Sequence, residues 1–392
     1  MGKLTATGIL PRDENALLVG RVWSARAKGP CLVLVERSGL GLRDITPLGP
    51  TMAQLLERDD LPARLREPAR FEALGPIDDF LRQAPEAGGN TLLAPCDLQA
   101  VKAAGVTFVD SMLERVIEEK AGGDASRAQE VRARLAPVLG SNLRGLQPGS
   151  EKARQVKSVL QDMGMWSQYL EVGIGPDAEI FTKTQPMASV GVGAEIGIHP
   201  NSHWNNPEPE LVLAVRSDGR IVGATLGNDV NLRDVEGRSA LLLGKAKDNN
   251  ASCSIGPFIR LLDEHFTIDS LTELEISLEV KGQDGFVLQG SSSMGMISRK
   301  PEELARQALN RNHQYPDGMM LFLGTMFAPV KDRFEPGQGF THAVGDMVTI
   351  ATPALGALIN RVNHTDQIAP WTFGSTALLR NLAERGLLGG NG

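Results

Sequence analysis

The stretch from residue 205 to 234, NNPEPELVLAVRSDGRIVGATLGNDVNLRD, constrains this chain more than any other. Two apolar runs flank Asp218-Gly219, a dipeptide favoured in two-residue hairpin turns, so the stretch reads as two antiparallel strands. Alternate side chains of a strand share a face, so Glu208 and Glu210 point the same way at its head. Carrying the pairing outward from Ser217 opposite Arg220 sets Glu208 opposite Asp229, and directly opposed residues share a face. Three carboxylates therefore converge at the open end of one hairpin.

Like charges at that range raise each other's pKa unless a cation compensates them. A donor set made only of oxygens suits Mg²⁺, with Mn²⁺ or Ca²⁺ as alternatives, rather than Zn²⁺ or copper. A lone Glu-x-Glu is more often the solvated face of an edge strand. Here the opposing Asp229 and the apolar run 211–215 favour a metal site with Glu208, Glu210 and Asp229 as ligands. His199 and His203 form H-x-x-x-H, but Pro200 between them predicts a loop rather than a metal-binding helix. Gly191-Val192-Gly193 lacks the rest of a dinucleotide fingerprint.

Composition narrows the function classes. With 40 Lys+Arg against 47 Asp+Glu and a net charge of -7, no basic surplus exists to neutralise a phosphate backbone, so nucleic acid is not an expected partner. The three cysteines, Cys31, Cys96 and Cys253, are odd in number and form no C-x-x-C, which points to a reducing cytoplasm. The most apolar stretch, 319–330, is broken by Gly324, Thr325 and Pro329 and is shorter than the roughly 20 residues of a spanning helix, so no membrane partner is expected. The first residues carry no apolar run of the signal-peptide kind.

A length of 392 residues suggests two or three domains. Runs 17–22 and 31–35 read as buried strands, and 51–70 as one or two short helices that Thr51 can cap and Pro62 and Pro68 interrupt. Ala87-Gly88-Gly89-Asn90 marks a joint between a small N-terminal α+β domain, residues 1–89, and the remainder, 90–392. Between about 110 and 165 the pattern predicts two or three helices, broken at Gly122-Gly123-Asp124 and again over 146–150. From 180 the texture is β almost to the end, with one helical insert over 301–310.

Further motifs surround the hairpin. Glu179-Ile-Phe-Thr-Lys183, Pro207-Glu-Pro-Glu210-Leu, Asn228-Asp-Val-Asn-Leu-Arg-Asp234, Lys247 nine residues before Gly256-Pro257, Leu323-Gly-Thr-Met-Phe-Ala-Pro329, Gly345-Asp-Met-Val348 and Gly356-Ala-Leu-Ile-Asn360 occur in that order. As a set, over about residues 92–365, they resemble the fumarylacetoacetate hydrolase superfamily. Leu92-Leu-Ala-Pro-Cys-Asp-Leu-Gln-Ala-Val and Ala104-Gly-Val-Thr-Phe108 look like its branch of 2-keto-3-deoxy sugar-acid dehydratases. The superfamily's carbon-carbon hydrolases carry a His and a Glu after the corresponding aromatic to activate water. Here Ser111 stands at the His position, although Glu114 remains. Lys102, Asn231 and a longer helical stretch between Phe108 and Glu179 depart from the branch pattern and leave the exact substrate open.

The resemblance implies an α+β, β-rich fold: a mixed β-sandwich or roll as the catalytic domain, with the small N-terminal α+β domain beside it. It implies a Mg²⁺-dependent hydro-lyase that converts 2-dehydro-3-deoxy-D-pentonate to 2,5-dioxopentanoate. Hydrolysis or decarboxylation of a 2,4-diketo acid is the alternative, and a non-catalytic keto-acid-binding subunit the third reading. Glu179 is then the proton-transferring carboxylate, and Lys183 and Lys247 are oxyanion or hydroxyl partners. Thr325 holds the substrate carboxylate, with Phe108 and Ser111 beside the substrate. A homodimer or homotetramer is expected, because the family usually assembles so and the apolar strands after Gly318 would otherwise leave an exposed patch.

Overall fold

Burial alternates along the central hairpin, and this alternation divides the apolar residues between two cores. In the strand Pro209–Val215, Leu211, Leu213 and Val215 enter one core while Val212 and Ala214 enter another. A strand covered on both faces reads as a continuous apolar run, which is why this one shows no polar alternation. The structure, a computed structural model, describes residues 4–81, 89–143, 145–327 and 329–388.

The strand lies inside an 11-stranded mixed sheet. Across the sheet the order is Glu72–Pro76, Gly41–Asp44, Gly29–Glu36, Leu18–Ser24, Cys253–Leu261, Ile221–Asp229, Pro209–Val215, Met319–Phe322, Ala100–Gly105 and Glu179–Thr184, with Thr91–Leu93 paired to Leu18–Ser24 off that path. A five-stranded sheet, Val287–Ser293, Glu275–Lys281, Met347–Thr352, Gly356–His364 and Glu195–Ile198 in order, packs on one face. Ile276, Leu278, Val348, Ile350 and Leu358 meet Leu211, Leu213 and Leu226 between the sheets. On the other face Met52, Leu55, Leu61 and Leu65 of two short helices cover Val212, Ala214 and Phe322. Each such side chain removed from water contributes about 1.5–3 kcal/mol. This is the α+β, β-rich architecture expected.

Strands from before residue 89 share the large sheet with strands from after it, Leu18 and Val19 pairing with Arg260 and Ile259. Of the joint expected at 87–90, residues 87 and 88 lie outside the described residues. The expected helices over 110–165 are Val109–Ala121, Ala125–Leu143 and Glu151–Asp162, the first ending at Gly122 in the left-handed conformation, φ 65°. Met112 and Val116 of the first helix pack with Leu160, Tyr169 and Leu170, while the neighbouring face carries Ser111, Arg115 and Glu118, all buried.

Three expectations need correction. The hairpin does not close in two residues: Val215 pairs with Ile221, the Arg216 N–H donates to the Arg220 carbonyl at 2.9 Å, and Gly219 adopts φ 87° in a three-residue loop. Val222 is then bulged on the return strand, so that Ala214 meets Gly223 and the expected register is restored toward the carboxylates. Met319–Phe322 leaves no exposed patch, because it pairs on both sides and each of its residues is fully buried. Finally, the β texture does not run nearly to the end: Ser375–Glu384 is a helix whose Leu378 and Leu382, one turn apart, are buried. No helix among the described residues is long and apolar enough to cross a membrane.

Candidate metal and substrate site

The open end of the hairpin brings the three carboxylates together. The Asp229 N–H donates to the Glu208 carbonyl at 3.1 Å, and the Glu208 N–H donates to Asn228 Oδ1 at 3.0 Å, so both backbones are locked in register. Glu208, Glu210 and Asp229 are all buried, each offering an oxygen within 4.8 Å of the other two.

Two lysines already share this charge. Lys247, the last residue of the helix Leu243–Lys247, places Nζ 2.5 Å from Glu208 and 2.9 Å from Asp229. Lys183, fully buried on Glu179–Thr184, places Nζ 2.9 Å from the other oxygen of Asp229 and also donates to the Val230 carbonyl at 3.2 Å. Burial would raise the Asp229 pKa, but Lys183 and Lys247 outweigh it and hold the carboxyl below its usual value. Burial likewise opposes the charge on Lys247, yet Asp229 and Glu208 overcome it and push the amine above its usual pKa.

Glu210 is different. It accepts the Gly324 N–H at 2.7 Å, and no lysine or arginine is paired with it among the described residues. Burial, then Asp229 and Glu208, drive its pKa well above the usual carboxylate range. A buried acid left uncompensated among three converging carboxylates is an all-oxygen donor set short of one cation, and it fits a hard divalent ion.

Glu179 opens the strand that carries Lys183. As a residue it is half-buried, but its carboxylate lies over Gly105, its cross-strand partner, where an added Cβ would come within 2.0 Å of Oε2. Burial, then Glu236, raise its pKa to about 7 against the opposing pull of Arg115 and Lys247. Thr325 follows the glycine that binds Glu210; it is buried and its hydroxyl donates to the Phe327 carbonyl at 3.1 Å. Ser111 is buried too, its hydroxyl donating to the Phe108 carbonyl at 3.1 Å. Phe108 is buried and belongs to the apolar core that also holds residues of both sheets. His199 and His203 fall in a loop, as expected, where the Ser202 N–H bonds the His199 carbonyl.

The charges behind the triad are not legible in the sequence. Arg115 donates to Glu208 and lies 2.7 Å from Glu118 and 3.1 Å from Glu236, all of them buried. Arg233 reaches Glu118 at 2.7 Å and Glu114 at 3.1 Å, and its guanidinium stacks 4.3 Å above the Trp204 ring. Arg115 and Glu118, one turn apart, were visible as an i,i+3 pair; that the face bearing them is buried was not.

The description "Fumarylacetoacetate (FAA) hydrolase C-terminal" matches residues 154–363, more than half of the chain. The chain belongs to the fumarylacetoacetate hydrolase family. Among relatives of this family member, a protein of Haloferax volcanii named "Probable 2-keto-3-deoxyxylonate dehydratase" is 32% identical over 213 residues, 54% of this chain and 68% of the relative. The "2-dehydro-3-deoxy-D-arabinonate dehydratase" of Saccharolobus solfataricus is 34% identical over 190 residues, 48% of this chain and 60% of that relative. The fold matches a solved structure described as 2-keto-3-deoxy-D-arabinonate dehydratase complexed with magnesium and 2,5-dioxopentanoate, with a TM-score of 0.56, 24% identity, and coverage of 88% of this chain and 99% of the other.

Proposed function

We propose that this family member is a Mg²⁺-dependent dehydratase of a 2-keto-3-deoxy sugar acid, converting 2-dehydro-3-deoxy-D-pentonate to 2,5-dioxopentanoate. The observation that carries the reading is Glu210, a buried carboxylate with no lysine or arginine paired to it among the described residues, set in a triad beside a Glu179 whose pKa is raised to about 7. The names of the two relatives support the substrate class.

Glu208, Glu210 and Asp229 would hold the ion, which when bound supplies positive charge against the oxygens of a 2-keto acid as negative charge develops on them. Glu179 takes the C3 proton, and a carboxyl group of pKa about 7 is suited to accept a proton and give it back near neutrality. The C4 hydroxyl leaves with a proton as water, giving a C3–C4 double bond. A proton lost from C5 and one gained at C3 yield the C4–C5 enol, which ketonises to 2,5-dioxopentanoate. Lys247, held cationic by Asp229 and Glu208, serves as a hydrogen-bond donor and cannot be the base. Lys183 acts as a second cation at Asp229, and Thr325 is assigned to the substrate carboxylate.

Hydrolysis is disfavoured by the state of the remaining half of a water-activating pair. Glu114 is engaged by Arg132 at 2.7 Å and by Arg233 at 3.1 Å, and among the described residues Ser111 has no histidine partner to remove its proton. The test is to incubate purified protein and Mg²⁺ with 2-keto-3-deoxy pentonates, 2-keto-3-deoxy hexonates and acylpyruvates. Loss of a pentonate with a semialdehyde product supports the proposal; two carboxylic products from an acylpyruvate would overturn it. The three cysteines, all free and buried, support a cytoplasmic setting. Exposed Val287, Val330, Phe334 and Val344 support a homodimer or homotetramer, and a monomeric mass by light scattering would exclude both.

A further inference from the structure

We propose that Arg115 is a positioning residue for the metal centre: from the helix Val109–Ala121 it sets the orientation of the Glu208 carboxylate, an inference that rests on the metal-dependent reading above. Both oxygens of Glu208 are engaged, Oε1 by Arg115 Nη2 and Oε2 by Lys247 Nζ at 2.5 Å. A carboxylate gripped at both oxygens is restrained from rotating, each oxygen keeps a further lone pair, and one oxygen lies within 4.8 Å of an oxygen of Glu210 and of Asp229.

Arg115 is itself held from behind. Its Nη1 lies 2.7 Å from Glu118 and 3.1 Å from Glu236. Glu118 accepts from Arg233 at 2.7 Å, and Arg233 is fixed by the Trp204 ring, by the Pro329 carbonyl at 3.2 Å and by Glu114. Trp204 precedes the short strand Asn205–Asn206, which leads directly into Glu208. The contacts thus form a closed ring, from Glu208 through Arg115, Glu118, Arg233 and Trp204 back along the chain to Glu208. A planar guanidinium can donate to several carboxylates at once, which a single ammonium does less well.

The same geometry decides the sign of the effect. An arginine beside a ligand carboxylate would weaken cation binding if its charge acted alone. Two buried carboxylates, Glu118, which it shares with Arg233, and Glu236, draw on the charge of Arg115 from the side away from Glu208 and leave orientation as the larger effect. Groups behind a metal ligand typically change metal affinity by about 10- to 100-fold when removed.

The test is Mn²⁺ titration by calorimetry and by electron paramagnetic resonance on the whole, metal-stripped protein, comparing wild type, Arg115→Met, Arg115→Lys and Arg132→Met. Arg132, on the helix Ala125–Leu143, pairs with Glu114 of the helix that carries Arg115 and has no ion pair to the three ligands among the described residues, so it controls for the stability of that helix. Arg115→Met should weaken Mn²⁺ binding by about 10- to 100-fold, Arg115→Lys by a smaller factor, and Arg132→Met should leave it unchanged. Mn²⁺ binding by Arg115→Met as tight as wild type or tighter, or an equal loss in Arg132→Met, overturns the proposal. Should Arg115→Met fail to fold, an unchanged affinity in Arg115→Lys overturns it equally. Wild type that does not bind Mn²⁺ sinks the metal reading itself, whereas wild type that binds beside unaltered Arg115 variants sinks only the role of Arg115.

Discussion

Glu210→Gln should stabilise the metal-free protein and at the same time remove its response to Mg²⁺. The substitution keeps an acceptor for the Gly324 N–H but deletes the one triad carboxylate that has no lysine or arginine paired to it among the described residues. At the 4.8 Å that bounds the triad, two like charges repel by about 3.5 kcal/mol at an effective dielectric of about 20. Lys183 and Lys247 offset much of this from the side of Asp229 and Glu208, which leaves a net relief of about 1–2 kcal/mol. With an unfolding entropy of about 2.1 cal/mol/K per residue, a chain of 392 residues gains about 1 °C in Tm for each kcal/mol. The variant should therefore melt about 1–2 °C higher in chelator. Because the folded-state pKa of Glu210 is raised, its contribution favours folding at low pH and is lost as pH climbs through that raised value, so the gap should widen from acid to neutral pH. Mg²⁺ at a hundred times its Kd should stabilise wild type by about 2.7 kcal/mol, about 3 °C, and the variant by far less. Differential scanning fluorimetry with chelator and with Mg²⁺, across the pH range, reads both effects. A variant that is less stable in chelator at neutral pH and keeps the full Mg²⁺ increment would refute the reasoning.

Three further outcomes follow from named contacts. With Glu179 acting as base and its pKa at about 7, kcat/KM should fall as pH drops below that value, and Glu179→Gln should cost about 10²- to 10⁴-fold in single-turnover rate; a variant with wild-type rate removes Glu179 from the chemistry. Ser111→Ala should keep most of the activity, since among the described residues the hydroxyl bonds only the Phe108 carbonyl within its own helix turn; an inactive variant in the same single-turnover assay would revive a hydrolytic role. Gly227→Ala places a Cβ 2.2 Å from the Phe322 ring and 2.5 Å from Val212, two residues before Asp229, and should destabilise the fold by about 1–3 kcal/mol in urea titration; an unchanged midpoint would mean the central sheet yields freely there.

The carboxylate triad was legible because strand geometry is local. Its register, however, was reached through a turn that the chain does not use. The three-residue loop at 217–219 shifts the pairing, and the bulged Val222 shifts it back, so Glu208 opposes Asp229 all the same. Bulges leave no clear mark on an apolar run such as Ile221-Val222-Gly223. Arg115, Glu118 and Glu236 stayed hidden for another reason: Arg115 meets Glu208 across 93 positions of sequence, and only tertiary packing turns that helix face inward. The helix Ser375–Glu384 was missed although Leu378 and Leu382 already stood at helical spacing, the preceding β texture having been carried too far. Phe108 was singled out by resemblance, while its place in the core depends on tertiary packing that a single sequence does not reveal.

Product identity by ¹³C NMR tests metal-dependent dehydration at the triad most directly. Metal-stripped protein is mixed with 2-dehydro-3-deoxy-D-pentonate, then Mg²⁺ is restored, in wild type and in Asp229→Asn. The prediction is that 2,5-dioxopentanoate signals appear in wild type only after Mg²⁺ is added, and that Asp229→Asn stays silent in both conditions. Equal product formation before and after Mg²⁺, or carbon-carbon cleavage products in place of the five-carbon semialdehyde, would contradict it.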